Sequence, residues 1–107
     1  MSQAIPAEDL RDEFLHTLAG YAHYWATLPD KTALERCNGF AFSVLAMLDG
    51  CNMGLPAFDL VARPHPDDKA LLQAEGRDWI EDGTVITDTM LHEIWSRYER
   101  DERGTPP

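Results

Sequence analysis

Cysteine is scarce in this sequence, and its two cysteines, Cys37 and Cys51, exclude a small scaffold held together by disulfide bonds. They lie near the two ends of one expected helix, where fourteen residues would separate their Cα atoms by about 21 Å, against the ~7 Å limit of a disulfide. A bend before Cys51 would shorten that distance. Neither cysteine belongs to a CxxC or CxxH motif of the kind that binds zinc. We therefore predict two free thiols, as in a reducing compartment.

Basic residues and long apolar runs are also scarce. Nine Lys and Arg face nineteen Asp and Glu, which gives a net charge of −10. That charge repels phosphate backbones and anionic lipid head groups, so the sequence argues against direct nucleic-acid binding and membrane binding. No apolar run approaches the ~20 residues of a bilayer span, and Glu8 and Asp9 stand where a secretion signal would be basic and then apolar. We expect a cytoplasmic protein.

Motifs for nucleophilic or phosphate chemistry are missing as well. No Ser or Cys is accompanied by a recognisable base, no glycine-rich loop joins a strand to a helix, and Lys31 and Lys69 are the only lysines. The sequence therefore predicts no catalytic residues and no cofactor. Its 107 residues fit one compact domain.

A first helix is predicted from Pro6 to about Leu28, because apolar residues recur there at steps of three and four. Pro6 suits the first turn of a helix, and Pro29 ends the pattern. The exposed side opposite the apolar stripe carries His16 one turn after Asp12, which indicates a solvated ion pair. The stripe consists of Leu10, Phe14, Leu18, Tyr21, Trp25 and Leu28.

A second helix is predicted to begin near Thr32, which can form a capping box with Glu35, and to end near Gly50. Because it is apolar on nearly every face, we expect it to be the central helix, packed on several sides. Gly39 within it would allow the first helix to approach closely. Its repeating apolar positions are Leu34, Cys37, Ala41, Val44, Leu45 and Leu48.

The remaining chain is less regular. Glycine and proline in 51–66 exclude a long helix, and residues 58–61 are expected to form an extended arm because no comparable strand lies nearby to pair with them. A short third helix is predicted over 66–75, and a hairpin fragment is compatible with 81–86. Thr87 is expected to cap a fourth helix that runs to about Arg100.

The predicted fold is therefore mainly α. It is a small bundle of about four helices around a central apolar helix, with an extended arm or a minimal hairpin. We expect a single helical domain over 1–100 and a frayed C-terminal tail over 101–107.

The segment His65-Pro66-Asp67-Asp68-Lys69 resembles the His-Pro-Asp-Asp-Glu signature of the zinc-dependent N-acetylglucosaminyl deacetylase-like family. The resemblance implies that His65 and Asp68 bind zinc and that Asp67 is the base. The chain departs from the family at Lys69, and only His92 follows where the family has paired histidines. That family's α/β fold also needs a parallel sheet and a longer chain. We therefore treat the resemblance as superficial.

A looser alternative is a metal site built from His65, Asp67, Asp68 and His92, because imidazole and carboxylate groups bind zinc, manganese and iron. Such a site would make the protein a small metal-dependent enzyme. The competing interpretation needs no metal: the carboxylates begin a helix, and a partly exposed His92 lies next to Asp88, one turn earlier.

Residues 34–95 resemble short bacterial and phage-borne proteins of uncharacterised function. The segments that carry the resemblance are LERCNGFAFSVLAMLDG, LPAFDLVARPHPDDK, EGRDWIEDG and LHEIW. The resemblance implies an intracellular bacterial setting and no particular activity.

The leading hypothesis is a non-enzymatic protein that binds another protein. Residues 67–93 carry eight acidic and two basic side chains, a balance of −6, and Trp79 lies in an irregular part of that stretch. The predicted contact residues are Trp79, Asp78, Glu81 and Asp82. A narrower alternative is a phage or mobile-element inhibitor whose carboxylates imitate nucleic acid. A homodimer is a further alternative, which applies if a central helix that is apolar on every face exceeds what three short helices can cover.

Overall fold

The computed structural model describes residues 2–104, and its regular elements are helices. Among the described residues the extended structure amounts to one antiparallel bridge, between Val61 and Val85. This architecture confirms the predicted mainly helical bundle. The helices are α1 (Ala7–Thr27), α2 (Ala33–Leu48), α3 (Asp68–Ala74) and α4 (Leu91–Gly104).

The turn between α1 and α2 is fixed by local hydrogen bonds. Arg36 donates from Nε and Nη2 to the backbone oxygen of Leu28, at 3.2 and 3.0 Å. Thr32 caps α2 through the predicted capping box: its hydroxyl accepts from Glu35 N at 3.1 Å, and the Glu35 carboxylate accepts from Thr32 N at 2.9 Å. These two hydrogen bonds confirm the predicted capping box. In the turn before it, Asp30 takes a positive φ of 60°.

Helix α1 packs against α2 where α2 carries a glycine. A Cβ atom at Gly39 would lie 2.4 Å from the indole ring of Trp25, so only glycine leaves room for this contact. The Trp25 indole also donates a hydrogen bond of 2.9 Å to the Ser43 hydroxyl. The predicted close approach of the first helix at Gly39 is confirmed.

Helix α4 packs on another side of α2. The Trp95 indole donates to Asn38 Oδ1 at 2.6 Å, and the Phe42 and His92 rings meet edge to face at 5.7 Å. The backbone N–H of His92 donates to Asp49 Oδ2 at 2.7 Å, so a carboxylate at the end of α2 caps the start of α4. The prediction that Thr87 caps this helix is wrong, because α4 begins at Leu91.

Thr87 instead joins the arm to the chain that returns beside it. Its hydroxyl donates to Asp59 Oδ1 at 2.9 Å and accepts from Leu60 N at 3.1 Å. Backbone hydrogen bonds continue the ladder from Ala62 N to Thr84 O and from Ile86 N to Leu60 O. The arm therefore pairs with residues 83–86, a segment that sequence reasoning judged too weak to be its partner. Because α3 lies between the two paired segments, the structure adopts the extended arm and not a hairpin.

The first part of the arm covers the end of α2. Phe58 N donates to Leu48 O at 2.8 Å, and the Phe58 ring meets Phe14 of α1 edge to face at 5.4 Å. Leu55, 6% exposed, and Met47, wholly buried, form the buried hydrophobic core. The arm thus closes one end of the contact between α1 and α2.

Two expectations need correction. Helix α2 contacts both α1 and α4, but among the described residues its only buried side chain is Met47, so it is central without being enclosed. The predicted frayed tail begins too early, because α4 continues to Gly104, where an ion pair of 3.0 Å between Glu99 and Arg103 supports its last turn. Residues 105–107 of that predicted tail lie outside the described residues.

Candidate protein-binding surface

Trp79 lies between α3 and residues 83–86, which pair with the arm, and other side chains fix the position of its ring. Its indole N–H donates to Glu81 Oε1 at 3.0 Å. The same oxygen accepts from Lys69 Nζ at 2.7 Å, and this ammonium group lies 5.1 Å from the centre of the indole ring. One carboxylate and one ammonium group therefore hold the indole from two directions.

The charge of Glu81 is favoured by these neighbours. The hydrogen bond from Lys69, followed by the one from Trp79, holds the pKa of the Glu81 carboxyl below its ordinary value. Glu81 is exposed, so solvent screens its ion pair with Lys69. We therefore infer that the pair orients the Trp79 indole and adds little to the stability of the fold.

The neighbouring side chains are apolar and acidic. Trp79 is 37% exposed and Ile80 is 64% exposed, so a large apolar contact area is in solvent. Asp78 and Asp82, on either side, are exposed as well. We call residues 78–82 the Trp79 surface; it contains all four residues predicted from sequence to contact a partner, and it adds Ile80.

An open depression of about 500 Å³ adjoins the Trp79 surface. Its walls combine the proline-rich segment before α3 with residues 80–82. Lys69, which sequence reasoning did not assign to the surface, contacts Glu81 across twelve positions, and no local pattern signals this contact. The lining residues are Arg63, Pro64, His65, Pro66, Lys69, Ile80, Glu81 and Asp82.

The residues of the alternative metal site occupy separate places. His65 Nδ1 accepts a hydrogen bond of 3.1 Å from Asp67 N, and the ring lies 3.8 Å from the Asp67 carboxylate. Asp68 is the first residue of α3. Between residues 2 and 104, the structure brings no three His, Cys, Asp or Glu side chains into an arrangement that could hold a metal ion.

His92 lies at the junction of α2 and α4. Its Nδ1 is 2.6 Å from Asp49 Oδ2, and its Nε2 is 3.8 Å from Cys51 Sγ. Asp49 is therefore the partner of His92, in place of the expected Asp88. The two residues are 43 positions apart, and no local sequence pattern signals their pairing.

Two opposing effects determine the pKa of the Asp49 carboxyl group. Burial raises the pKa of its carboxyl, but the hydrogen bonds from the backbone and ring of His92 and from the backbone of Leu91 outweigh burial, and the pKa is lower than usual. Its side chain is 3% exposed, against 18% for His92. The carboxylate is thus a charged, enclosed helix cap, and its bonds are committed to holding α4.

Comparison with protein families, with curated proteins and with solved structures gives no match to this chain. Among the residues that the structure describes, no helix has the combined length and apolarity needed to span a bilayer. The chain's own surface is therefore the basis for assigning a function.

Proposed function

We propose that this protein is a non-enzymatic binding protein, and that it binds a partner protein with a basic surface through the Trp79 surface. The observation that carries the proposal is the half-exposed indole of Trp79, held by Glu81 and Lys69. A tryptophan whose ring is already positioned loses little conformational freedom on binding, and tryptophan is enriched among the residues that dominate interface energies.

The charge around the indole favours a basic partner. Asp78 and Asp82 flank the apolar pair Trp79 and Ile80, which is the arrangement of an apolar centre with a polar rim. Within 67–93 only Lys69 and Arg77 are basic, and both form ion pairs within the chain, with Glu81 and Glu75. The remaining carboxylates of this stretch supply a negative field that would accelerate encounter with a positively charged surface.

Site-specific photocrosslinking in cells of the native host tests the proposal. The photoreactive residue p-benzoylphenylalanine replaces Ile80, which is 64% exposed beside Trp79, and in a matched control it replaces Met53, which is fully exposed outside the surface. We expect one dominant adduct from position 80, a basic protein, and none of that adduct from position 53. The same adduct from both positions would contradict the proposal.

A second step measures affinity with the purified partner. Trp79→Ala should weaken binding at least about 30-fold, as for an interface tryptophan of about 2 kcal/mol. Binding should also weaken as salt is raised, because the screening length falls from about 10 Å at 0.1 M to about 3 Å at 1 M. Equal affinity of Trp79→Ala and wild-type protein would refute the assignment of this surface.

A further inference from the structure

The single chain exposes more surface than a compact chain of its size. Its accessible area is 8513 Å², whereas a folded monomer of this mass exposes about 6,000 Å². Its radius of gyration is 18.0 Å, against about 13 Å for a compact domain of about 100 residues. The molecule is a flat body of 57 × 52 × 20 Å. These quantities indicate that burial of apolar surface is incomplete in one copy.

Part of the uncovered apolar area lies on one side of α2, where Leu34 is 56% exposed. Gly39 and Ser43 face α1, and Asn38 and Phe42 face α4. The remaining side carries a sequence pattern of its own, in which apolar or small residues alternate at steps of three and four. These residues are Leu34, Cys37, Ala41, Val44 and Leu48, the a and d positions of a heptad repeat.

Leu34 and Cys37 on this side are exposed. Together with α4 they form an open groove of about 600 Å³, and we call this the α2–α4 groove. Its floor is apolar, and one of its two acidic side chains, Glu99, is paired with Arg103 at 3.0 Å. The groove is lined by Leu34, Cys37, Asn38, Ala41, Trp95, Tyr98, Glu99, Glu102 and Arg103.

We propose that a second copy of this chain occupies the α2–α4 groove, so that the protein is a two-fold symmetric dimer joined through the heptad side of α2. The excess accessible area is about 2,500 Å² per chain, and an obligate dimer interface of about 2,000–5,000 Å² in total buries about 1,000–2,500 Å² of each chain, so a dimer can absorb a large part of the excess. A two-fold interface requires a self-complementary surface, and a heptad seam packs against a copy of itself.

The local net charge of each surface determines where two copies of such an acidic chain can bind each other. The groove lining carries two acidic side chains and one basic side chain, a balance of −1, whereas residues 67–93 carry −6. Like charges make contact between two copies costly at the acidic stretch, and the nearly neutral groove avoids that cost. A basic partner is attracted to the Trp79 surface instead, so the two surfaces serve different contacts.

Sedimentation equilibrium of the full chain tests the dimer. The expected mass is twice the 12.1 kDa of one chain. Leu34→Glu places a charge in the groove, and Leu71→Glu is the matched control on α3; the two leucines are 56% and 61% exposed, so neither change removes a buried side chain. Leu34 lies in the first turn of α2, where glutamate suits the helix dipole, so the variant should fold.

We expect Leu34→Glu to weaken dimerisation by about 100-fold or more, because an unpaired charge is costly to bury in an apolar interface, and we expect Leu71→Glu to leave the dimer intact. Circular dichroism confirms that both variants keep their helices. A wild-type chain that sediments as a monomer, or as a mixture of larger species, would overturn the proposal, as would equal behaviour of the two variants.

Cysteine labelling is an independent test of the dimer. Cys37 lies in the groove and Cys51 lies outside it, and both thiols are exposed in one copy. In the dimer, maleimide should modify Cys37 at least about 10-fold more slowly than in Leu34→Glu, because the partner helix covers it, whereas Cys51 should react equally in both. Equal rates at Cys37 would contradict the dimer. Trp79→Ala should leave the mass of the dimer unchanged, because Trp79 lies outside the groove. Loss of the dimer and loss of partner binding are therefore distinguishable outcomes.

Discussion

The Asp49 carboxylate at the end of α2 caps α4 through His92: Oδ2 lies 2.6 Å from the ring Nδ1 and 2.7 Å from the backbone N of that residue. With 3% of its side chain exposed, Asp49 is more enclosed than any other acidic residue in the salt bridges of the structure. Asp49→Ala should therefore lower the free energy of unfolding by about 2–3 kcal/mol, the loss expected for hydrogen bonds to a charged group. Urea unfolding measures this loss of stability.

The control for that change is Asp82→Ala, which removes an exposed carboxylate of the Trp79 surface. It should change stability by less than about 0.5 kcal/mol. Equal effects of the two substitutions would show that the cap of α4 does not hold the bundle together.

The same carboxylate gives stability a defined dependence on pH. The pKa of Asp49 is lowered in the folded chain because hydrogen bonds from His92 and Leu91 outweigh burial. Its contribution is therefore fully present above the ordinary value of 3.8 and is lost as pH falls through the lower folded-state value. The difference in unfolding free energy between wild type and Asp49→Asn should shrink as pH is lowered below 3.8. A difference that grows below 3.8 would contradict this assignment.

Gly39 and Gly20 form a matched pair inside helices. A Cβ at Gly39 would meet the Trp25 indole at 2.4 Å, whereas nothing lies within 4 Å of a Cβ at Gly20. Gly39→Ala should destabilise the fold by about 1–3 kcal/mol through overpacking, and Gly20→Ala should stabilise it by about 0.5–1 kcal/mol through helix propensity. Thermal unfolding compares them. A gain at both positions would mean that α1 does not pack on α2 at Gly39.

Local patterns in the sequence predicted the helices well. Pro6, Pro29 and the capping box of Thr32 and Glu35 act within one turn of the residues they affect, and the boundaries of α1 and α2 follow them closely. Gly39 was recognised because an unfavourable residue inside an apolar helix needs a packing reason. A large aromatic residue in an irregular acidic segment has no evident core position to fill, so the sequence predicts a contact role for Trp79, and this stays a prediction.

Long-range pairings were not predictable in the same way. Asp49 and His92 are separated by 43 positions, and Thr87 and Asp59 by 28, so neither pair leaves a periodic signal. Thr87 satisfies the pattern of a helix cap, yet its hydroxyl bonds to Asp59 and Leu60, because polar groups of the arm compete for it. The sequence also does not predict that α2 is incompletely buried, because a helix that is apolar on all faces gives no indication of which faces the rest of the chain covers.

The two tryptophans Trp25 and Trp79 should differ in their contribution to stability. Trp25 packs on Gly39 and donates to Ser43, so Trp25→Ala should cost about 2–4 kcal/mol. Trp79→Ala should cost less than about 0.5 kcal/mol, because its neighbours Glu81 and Lys69 are themselves exposed. Chemical denaturation of both variants provides the comparison. A large loss for Trp79→Ala would make this residue structural and remove the main support for a binding surface.

Native-state hydrogen exchange tests the account's central claim most directly, namely that the chain is organised around α2 and that the Trp79 surface lies outside that core. The slowest amides should lie in α2 around Met47, where the only wholly buried side chain is found among the described residues. Amides of residues 78–82 should exchange much faster, through local opening. Exchange in α2 as fast as in residues 78–82, or the slowest amides within the Trp79 surface, would contradict the account.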